Sequence, residues 1–505
     1  MLFLGTFPQV TVEQILAHLP PRPVADRLLA KFFEMKEPAW MIFHIPTFSK
    51  DYQNFWEHIF WEHPPEKVSC VGLLFFVFAH AALYCHRIGE EVPGNLGRPL
   101  EIFETFKHLG AQCLAHGDYT TPGRYKVEAM ILYFGCEYLA QQDAAIGTSV
   151  LFSAIIRLAM HMGMHRDPRH YRGVTPYEGE MRRRIWALLV ELDVLLSFQF
   201  GVPSNINHRF CDTEPPRNLH DDDYEETSKE IPPSRPETER TVTLYSIVKG
   251  RLSRVFGNIT AAISSRERLT YSELLVLDKQ LKDVHDSFPS VLRHRPFSKS
   301  LVDPTELIIQ RYWLELLYQK SRLVLHRRYI GIGRLDKRYA YSRRTCLDAA
   351  TEILQHQDHI HCEMQLGGRL AKDRWFVNCL SIHDFLLADM VLCLELSYLN
   401  AHAKMSSALE QSGERDVMAP DVVEPEVKSR DQIMEHLRTS RLIWKATRKD
   451  SAEVNRAFKI LTKMLTVSTG DAFESSPALS EAAPNVDNLN PYRVPMFHFG
   501  APTGK

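Results

Sequence analysis

Residues 147–223 contain the pattern that most restricts how this chain can fold. Apolar side chains recur there at the spacing of a helix with one buried face, namely at Leu151, Ala154, Ile155, Leu158 and Met162. Gly163 follows at a position where such a helix ends. A second helix is predicted to begin at Pro176, because Thr175 can cap it and Glu178 completes a capping box. The stretch therefore predicts two consecutive helices joined by a short loop.

The second helix is predicted to have a buried apolar face and a charged face. The apolar face consists of Ile185, Leu188, Leu189, Leu192 and Leu196. Glu180 and Arg184 are four residues apart, which is the spacing of an ion pair within a helix. Similar apolar stripes occur at 308–328, 342–354 and 375–399, and the alternation typical of strands is almost absent. The predicted fold class is all-α, with irregular acidic and proline-rich loops.

Changes in composition divide the chain into segments. Stretches rich in proline, serine or acidic residues interrupt the helical pattern at 211–239, 402–430 and 468–505. We predict a large helical domain at 1–400, with its core signature at 147–223. A linker at 401–430 and a C-terminal helical segment at 431–466, broken near Lys449 and Asp450, are predicted to follow. Residues 467–505 are predicted to form a disordered tail.

The longest apolar run, Val71 to Cys85, is fifteen residues long and contains His80. A membrane-spanning helix needs about 20 apolar residues, so the run predicts a buried core helix and no membrane partner. The first ten residues, MLFLGTFPQV, have neither the basic start nor the cleavage site of a secretion signal. Unpaired cysteines within apolar helices are typical of a reducing, intracellular compartment.

Four motifs of this region resemble those of a known family. They read RLAMHMGMHRD from residue 157, E.EMRRRIWALLVELD from 178, S.QFGVPSNI from 197 and D.EPPRN..DDD from 212. With weaker matches at 42–56, 318–329 and 342–354, they cover roughly residues 30–400. The chain resembles the fungal-specific transcription factor domain, which is the regulatory middle homology region of zinc-binuclear-cluster transcription factors. The resemblance implies a nuclear, all-helical module that regulates transcription and responds to effectors or partner proteins.

Ten charged, histidine or tryptophan positions match the family pattern, and the resemblance implies structural or regulatory roles for them. They are Arg157, His165, Arg166, Asp167, Glu180, Arg183, Arg184, Trp186, Asp193 and Asp212. A buried Arg or Asp must be paired to be tolerated, and these charges nearly balance. We therefore expect a buried polar network between the two helices, with direct effector contact as the alternative. The network interpretation predicts that replacing Asp193 or Trp186 unfolds the module before it changes any specific function.

The zinc cluster of the family is absent from these 505 residues. Family members normally carry six closely spaced cysteines that hold two zinc ions and present a helix to DNA. Here no CxxC pair occurs, and the closest pair, Cys379 and Cys393, is fourteen residues apart. Zinc is implied only if an upstream cysteine cluster exists, and DNA contact only indirectly or through a missing N-terminal module. Either the gene product lacks a DNA-reading module, or this chain starts downstream of one.

The charge balance agrees with a protein that does not bind DNA by itself. The chain has 60 Lys and Arg against 62 Asp and Glu, a net charge of −2, and a pI of about 6.9. Nonspecific DNA affinity depends on clustered Lys and Arg that displace counterions from phosphates. The basic clusters of this chain, such as 182–184, are instead interpreted as solvated faces of helices.

An acidic run at 221–226 is the main feature that favours an enzyme instead. In an all-helical fold, a DDxxE-like cluster can hold Mg²⁺ against a diphosphate, as in terpene cyclases. The run lies, however, between the proline pairs at 215–216 and 232–233, which interrupt helices. A solvated acidic loop is the preferred interpretation. We predict no catalytic residue and no cofactor-binding residue.

Two histidine clusters have the composition of metal sites. His161 and His165 are four residues apart, as in zinc-binding helices, but Gly163 between them is expected to end the helix. A second cluster contains His356, His359, His361 and Cys362 and is interpreted as the surface end of a helix. No metal ligand is predicted in this chain.

The combined interpretation is a fungal-type regulator of RNA polymerase II transcription, acting in the nucleus on genes of a metabolic or secondary-metabolite cluster. Its expected partners are other transcription factors or coregulators, with both homodimers and heterodimers left open. As a complete protein it would be a coregulator or inhibitor that pairs with a full-length relative. As a fragment it would be the sensing half of a DNA-binding activator.

Overall fold

The computed structural model describes residues 11–35, 41–58, 65–140, 146–412, 430–447 and 451–469. Within these ranges it contains sixteen α-helices and no β-strand, which confirms the predicted all-α class. The helices are α1 (Val12–Leu16), α2 (Arg22–Glu34), α3 (Ile45–His58), α4 (Pro65–Ile88), α5 (Pro99–His116), α6 (Lys126–Ala140), α7 (Ile146–His161), α8 (Pro176–Phe200), α9 (Leu244–Ser264), α10 (Tyr271–Asp286), α11 (Thr305–His326), α12 (Tyr329–Leu335), α13 (Ala340–Glu363), α14 (Arg374–Ser412), α15 (Arg430–Thr447) and α16 (Ala452–Thr469).

The chain divides into two compact units. The first unit consists of Met1–Tyr318 and Glu363–Ser381, and the second unit of Gln319–Cys362 and Ile382–Lys505. The signature at 147–223 lies entirely in the first unit. The expected domain at 1–400 contributes to both units, because its residues 319–362 and 382–400 belong to the second.

Helix α4 occupies the centre of the first unit. It packs against α2, α5 and α6, and Phe75, Phe76 and Phe78 are completely buried. The segment Val68–Ile88 is long and apolar enough to cross a membrane by length and composition, but 94% of its most apolar window is buried inside the structure. A helix that is apolar on every face is typical of a protein core. The prediction of a buried core helix for this run is confirmed.

Helices α6 to α10 pack successively, each against the next along the chain. The apolar face predicted for α8 is found: Ile185, Leu188, Leu189 and Leu196 are buried, and Leu192 is half-buried. This packing fixes α8 between α7 and α9, so that its charged face meets the loops on either side of it in sequence.

Within the second unit, α15 packs against α16. The predicted linker at 401–430 is corrected in part, since α14 continues to Ser412 and α15 begins at Arg430; residues 413–429 lie outside the described residues. The predicted break near Lys449 falls between the end of α15 and the start of α16, and 448–450 are outside the described residues. Helix α16 reaches Thr469, so only 470–505 of the predicted tail lie outside the described residues.

Candidate functional site

The junction between α7 and α8 is fixed by local chemistry at both ends. Gly163 has φ +76°, its N–H donates to Met160 O at 2.9 Å, and Met164 N–H donates to Ala159 O at 3.0 Å, which is a Schellman ending of α7. At the other end, Thr175 and Glu178 form the predicted capping box, with bonds of 3.2 and 3.0 Å. Both predicted boundaries are confirmed, and they set the position of every charged group between them.

Asp167 is the centre of the charged network. It is completely buried, and Arg183 of α8 donates to it through Nε at 3.0 Å and Nη2 at 2.9 Å. The backbone N–H groups of Arg169 and Glu214 donate to the same carboxylate, each at 3.1 Å. Burial by itself would raise the pKa of Asp167, but these donors outweigh it and hold the pKa below its ordinary value. A bidentate pair with this geometry is strong and directional.

Asp212 connects the loop after α8 to the loop before it. It accepts from Arg166 Nε at 3.0 Å and Nη2 at 3.1 Å, and from the backbone N–H of Asp167 at 2.9 Å. His170 Nε2 lies 2.9 Å from Oδ2 of Asp212, the oxygen that also accepts from Arg166 Nη2. The backbone donor and the guanidinium of Arg166 keep the pKa of Asp212 well below its ordinary value. Asp212 and Asp167 therefore join two loops that are 45 residues apart in sequence.

Glu180 and Arg184 reach partners outside their own helix. Glu180 Oε1 accepts from the backbone N–H of Arg217 at 2.7 Å, and the fully buried Arg184 donates through Nη1 to Asp221 Oδ1 at 2.8 Å. The guanidinium of Arg184 also lies 5.5 Å from the centre of the Tyr224 ring. Among the described residues, the Nε and Nη2 groups of Arg184 have no hydrogen-bond partner. Glu180 and Arg184 therefore bond to residues distant in sequence and not to each other.

The acidic run at 221–226 is not the solvated loop that was predicted. Asp221 joins α8 to the start of α3, because its Oδ2 accepts from the Ile45 N–H at 2.9 Å and its carbonyl lies 2.7 Å from His44 Nε2. Asp223 receives two hydrogen bonds from Arg235, at 2.8 and 2.6 Å. Only part of the run, including Asp222 and Glu225, is exposed. The run differs from the prediction because folding brings cationic and backbone donors from distant segments to its carboxylates, and the local sequence does not specify those donors.

The loop beyond this run is closed by Asn218. Its Nδ2 lies 3.3, 3.0 and 3.1 Å from the carbonyl oxygens of Arg235, Pro236 and Glu239, and its Oδ1 accepts from the Thr241 hydroxyl at 2.6 Å. Asn218 lies within the motif at 212–223 but was not among the positions predicted to be functional. The polar residues of the NLHDDD stretch were the only signal that could have identified it.

The remaining signature positions have different surroundings. Asp193 is buried and accepts hydrogen bonds from residues 204–206. Trp186 is buried with its ring centre 6.3 Å from that of His165, and His165 adds a backbone carbonyl that accepts from Asp212 N–H at 3.1 Å. Arg157 lies outside the network: it is exposed on α7 and forms no ion pair among the described residues. The expectation that all ten positions share one buried network therefore does not hold for Arg157. It also fails for Arg166, which is exposed, and for Asp193, which within the described ranges bonds only to the loop at 204–206.

The described residues offer little for metal chemistry. No group of three or more His, Cys, Asp or Glu side chains in the described ranges is arranged to hold a metal ion. His356 is buried in α13, so the interpretation of its cluster as a surface helix end is wrong for that residue. Asp167, Asp212 and Asp221 each pair with a guanidinium group, which makes the network suited to fixing shape.

A family model for the fungal specific transcription factor domain matches residues 29–289. The match covers more than half of the chain and all ten signature positions. The chain belongs to this family. Its members named below are transcription factors, and neither the family nor these relatives support the terpene-cyclase alternative.

Three relatives show how far the similarity extends. A Zn(2)-C6 fungal-type transcription factor of Macrophomina phaseolina is 36% identical over 465 residues, which is 92% of this chain and 60% of the relative. A Zn(2)-C6 fungal-type transcription factor of Monascus ruber is 36% identical over 466 residues, 92% of this chain and 55% of the relative. The equisetin cluster transcription factor of Fusarium heterosporum is 33% identical over 462 residues, 90% of this chain and 63% of the relative. This fungal transcription factor domain spans about three fifths of the length of these relatives.

Proposed function

We propose that this chain is the regulatory module of a fungal transcription factor that controls RNA polymerase II transcription of a secondary-metabolite gene cluster. The observation that carries the proposal is the family match over 29–289, which contains the whole charged network. Relatives at 33–36% identity are named as transcription factors, and one of them as the factor of a metabolite cluster. Action of this kind takes place in the nucleus.

The module acts through contacts with partner proteins or effectors and not through catalysis. In support of this, the buried Asp167 pairs with Arg183 at 2.9 Å and the buried Arg184 pairs with Asp221 at 2.8 Å, and a paired buried ion has little reactivity to offer. The network sets the relative positions of α7, α8 and the loops beside them. Regulation then depends on surfaces that this rigid framework presents.

DNA contact, in this proposal, comes from residues other than the cysteines of this chain. Zinc-cluster relatives bind zinc through closely spaced cysteines, and the closest two cysteines here are fourteen residues apart. Two forms of the proposal follow: a coregulator that pairs with a full-length relative, and the sensing half of a DNA-binding activator. Sequencing of capped full-length messages distinguishes them, because an upstream exon with a six-cysteine cluster supports only the second form.

The test of function is a reporter assay with the full 505-residue chain. The chain is fused to a heterologous DNA-binding domain in a fungal host, and transcription from the matching promoter is compared with that from the DNA-binding domain alone. We expect a severalfold change for the fusion. Arg266→Glu, at an exposed position on the loop after α9, should keep that change. A folded fusion that leaves the reporter at the level of the DNA-binding domain would contradict the proposal.

Cluster control and location are tested separately. Deletion of the gene, followed by RNA sequencing, should change transcripts of neighbouring biosynthetic genes more than transcripts elsewhere in the genome. A fluorescent-protein fusion should accumulate in the nucleus. Unchanged neighbouring genes together with an active reporter fusion would leave transcription regulation standing and exclude control of the adjacent cluster.

A further inference from the structure

The loop at 201–212 is unusually well fixed for an exposed segment. Helix α8 ends at Gly201 with φ +66°, and five residues later Ile206 inserts into the core as the only buried residue of 201–210. Asp193 accepts from the N–H groups of Asn205 and Ile206 at 3.2 and 2.9 Å and from the Ser204 hydroxyl. The start of the loop is therefore held by a buried carboxylate.

The end of the loop is held as firmly. Asn207 caps a short 3₁₀ helix at His208–Phe210, with its side chain accepting from the Arg209 N–H at 3.0 Å. Two residues after Phe210, Asp212 is bound by Arg166 at 3.0 Å. A turn with these restraints cannot fold its outward side chains into the core without breaking several hydrogen bonds.

This fixed turn holds an aromatic ring in water. Phe210 is 71% exposed and is the only phenylalanine among the exposed large apolar side chains of the described residues. Burying such a ring against a partner would remove a large apolar area from water. Because the turn is already ordered, binding there would cost little conformational entropy. Rigid exposed aromatic side chains of this kind are typical centres of protein interfaces.

Exposed cationic side chains occur on the turn itself and on the neighbouring helix α9. Arg209 is exposed beside Phe210, and Arg254 of α9 is exposed near His208, where partial burial and then the charge of Arg254 lower the pKa of His208. Neither Arg209 nor Arg254 forms an ion pair within the part of the chain that the structure describes. Of the neighbouring acids, Asp212 is paired with Arg166. Asp193 is held by neutral donors and keeps its negative charge, but its effect on His208 is smaller than that of Arg254. The surface therefore combines one apolar anchor with two exposed guanidinium groups that form no ion pair among the described residues.

We propose that His208, Arg209, Phe210 and Arg254, here named the Phe210 surface, form a docking site for an acidic segment of a partner protein that places an apolar side chain against Phe210. Charge complementarity selects acidic residues, and the exposed ring selects an apolar one. Two free guanidinium groups are too few for the phosphate contacts that a nucleic acid site needs. The inference deepens the proposed function, because it gives the chemistry of the partner through which the module regulates.

Site-specific crosslinking tests the identity of the occupant. The full chain is expressed in the fungal host with Phe210 replaced by the photocrosslinker benzoylphenylalanine, and a matched chain carries the replacement at Val302, which is 97% exposed. Crosslinked peptides are then sequenced by mass spectrometry. We expect peptides from another protein that combine several Asp or Glu residues with a bulky apolar residue. They should be absent from the Val302 control and should disappear when Arg209→Glu and Arg254→Glu are added.

Three outcomes would overturn the inference. Crosslinks to nucleic acid would show that the cations serve phosphates. Crosslinks to this chain would show self-association, for which exposed acids such as Asp222 and Glu225 are available. Crosslinked peptides that are neither more abundant nor richer in Asp and Glu than those from the Val302 control would show that Phe210 is an ordinary exposed residue.

The reporter assay separates failure of this inference from failure of the proposed function. Phe210→Ala, and separately Arg209→Glu with Arg254→Glu, should reduce the effect of the wild-type fusion about tenfold. Val302→Ala and Arg266→Glu are the matched controls and should have no effect. Thermal melts should be unchanged for all these variants, since every replaced side chain is exposed. If the wild-type fusion is active and the Phe210 variants are equally active, the docking site is refuted but the proposed function is not.

Discussion

Asp193 shows, at the scale of one residue, how a buried carboxylate organises a loop. Its Oδ2 faces the N–H of Ile206 and the hydroxyl of Ser204, and its Oδ1 faces both the N–H and the Nδ2 of Asn205. Every neighbour on both oxygens is a donor. An asparagine cannot replace it without cost, because its NH₂ group would face a backbone N–H in either orientation.

Asp193→Ala is therefore expected to lower the free energy of unfolding by about 3 kcal/mol or more, since it leaves two backbone N–H groups without their acceptor. Asp193→Asn should cost less but remain clearly destabilising. Urea unfolding of the purified chain measures both changes. The exposed Asp222→Ala serves as control and should stay within about 0.5 kcal/mol of wild type. Normal stability of Asp193→Ala together with lost regulation would contradict the structural role and favour effector contact.

At the scale of elements, α14 and α15 meet across a buried acid in the second unit. Asp389 of α14 is buried, and its Oδ2 accepts from Trp444 Nε1 at 2.7 Å and Ser440 Oγ at 3.0 Å, both on α15. Its Oδ1 has no hydrogen-bond partner among the described residues. Burial raises the pKa of Asp389 to about 7, although the two donors oppose this. Burial, and then the charge of Asp389, also raise the pKa of the nearby Cys393.

The raised pKa predicts a pH dependence of stability. The pKa of Asp389 in the folded chain is about 7, and its ordinary value is 3.8. The contribution of Asp389 to the free energy of unfolding is therefore fully present below pH 3.8 and is lost as the pH rises to about 7. The loss is up to about 4 kcal/mol. The unfolding free energy of Asp389→Asn minus that of wild type should therefore increase between pH 5 and pH 8, because asparagine stays neutral. The difference between variant and wild type is used because histidines elsewhere titrate in both proteins and cancel. A difference that stays constant between pH 5 and pH 8 would disprove the prediction.

For the whole molecule, charge is the property that determines how strongly these residues are expected to attract DNA. Its net charge is −2, and the arginines of the network are paired with acids, as Arg183 is with Asp167 and Arg184 is with Asp221. Cations that are paired inside the protein cannot release counterions from DNA. The fold thus uses part of its basic content for its own architecture.

The 505-residue chain by itself is accordingly expected to bind duplex DNA no more tightly than a Kd of about 10 µM at physiological salt. Fluorescence anisotropy with a labelled random-sequence duplex measures this. The same chain fused to a heterologous DNA-binding domain, with the cognate duplex, is the positive control. Submicromolar binding by the unfused chain that weakens steeply with added salt would contradict the expectation.

The sequence by itself determined the elements whose physics is local. The capping box at Thr175, the glycine ending after α7, the apolar face of α8 and the core character of α4 all depend on residues within a few positions of each other. The same short-range patterns carried the family resemblance. They could therefore be predicted without knowing where any other segment lies.

Only the tertiary structure decided which charges meet. Arg184 bonds to Asp221, 37 residues away, and Asp389 to Trp444, 55 residues away, and no helical spacing specifies such partners. The acidic run at 221–226 was misjudged for this reason, and so was Arg157, whose helix turns it toward solvent. A buried charge takes the partner that folding brings within about 3 Å, because desolvation makes an unpaired ion costly. The choice of partner depends on packing, whereas local sequence specifies only that a charged residue is present.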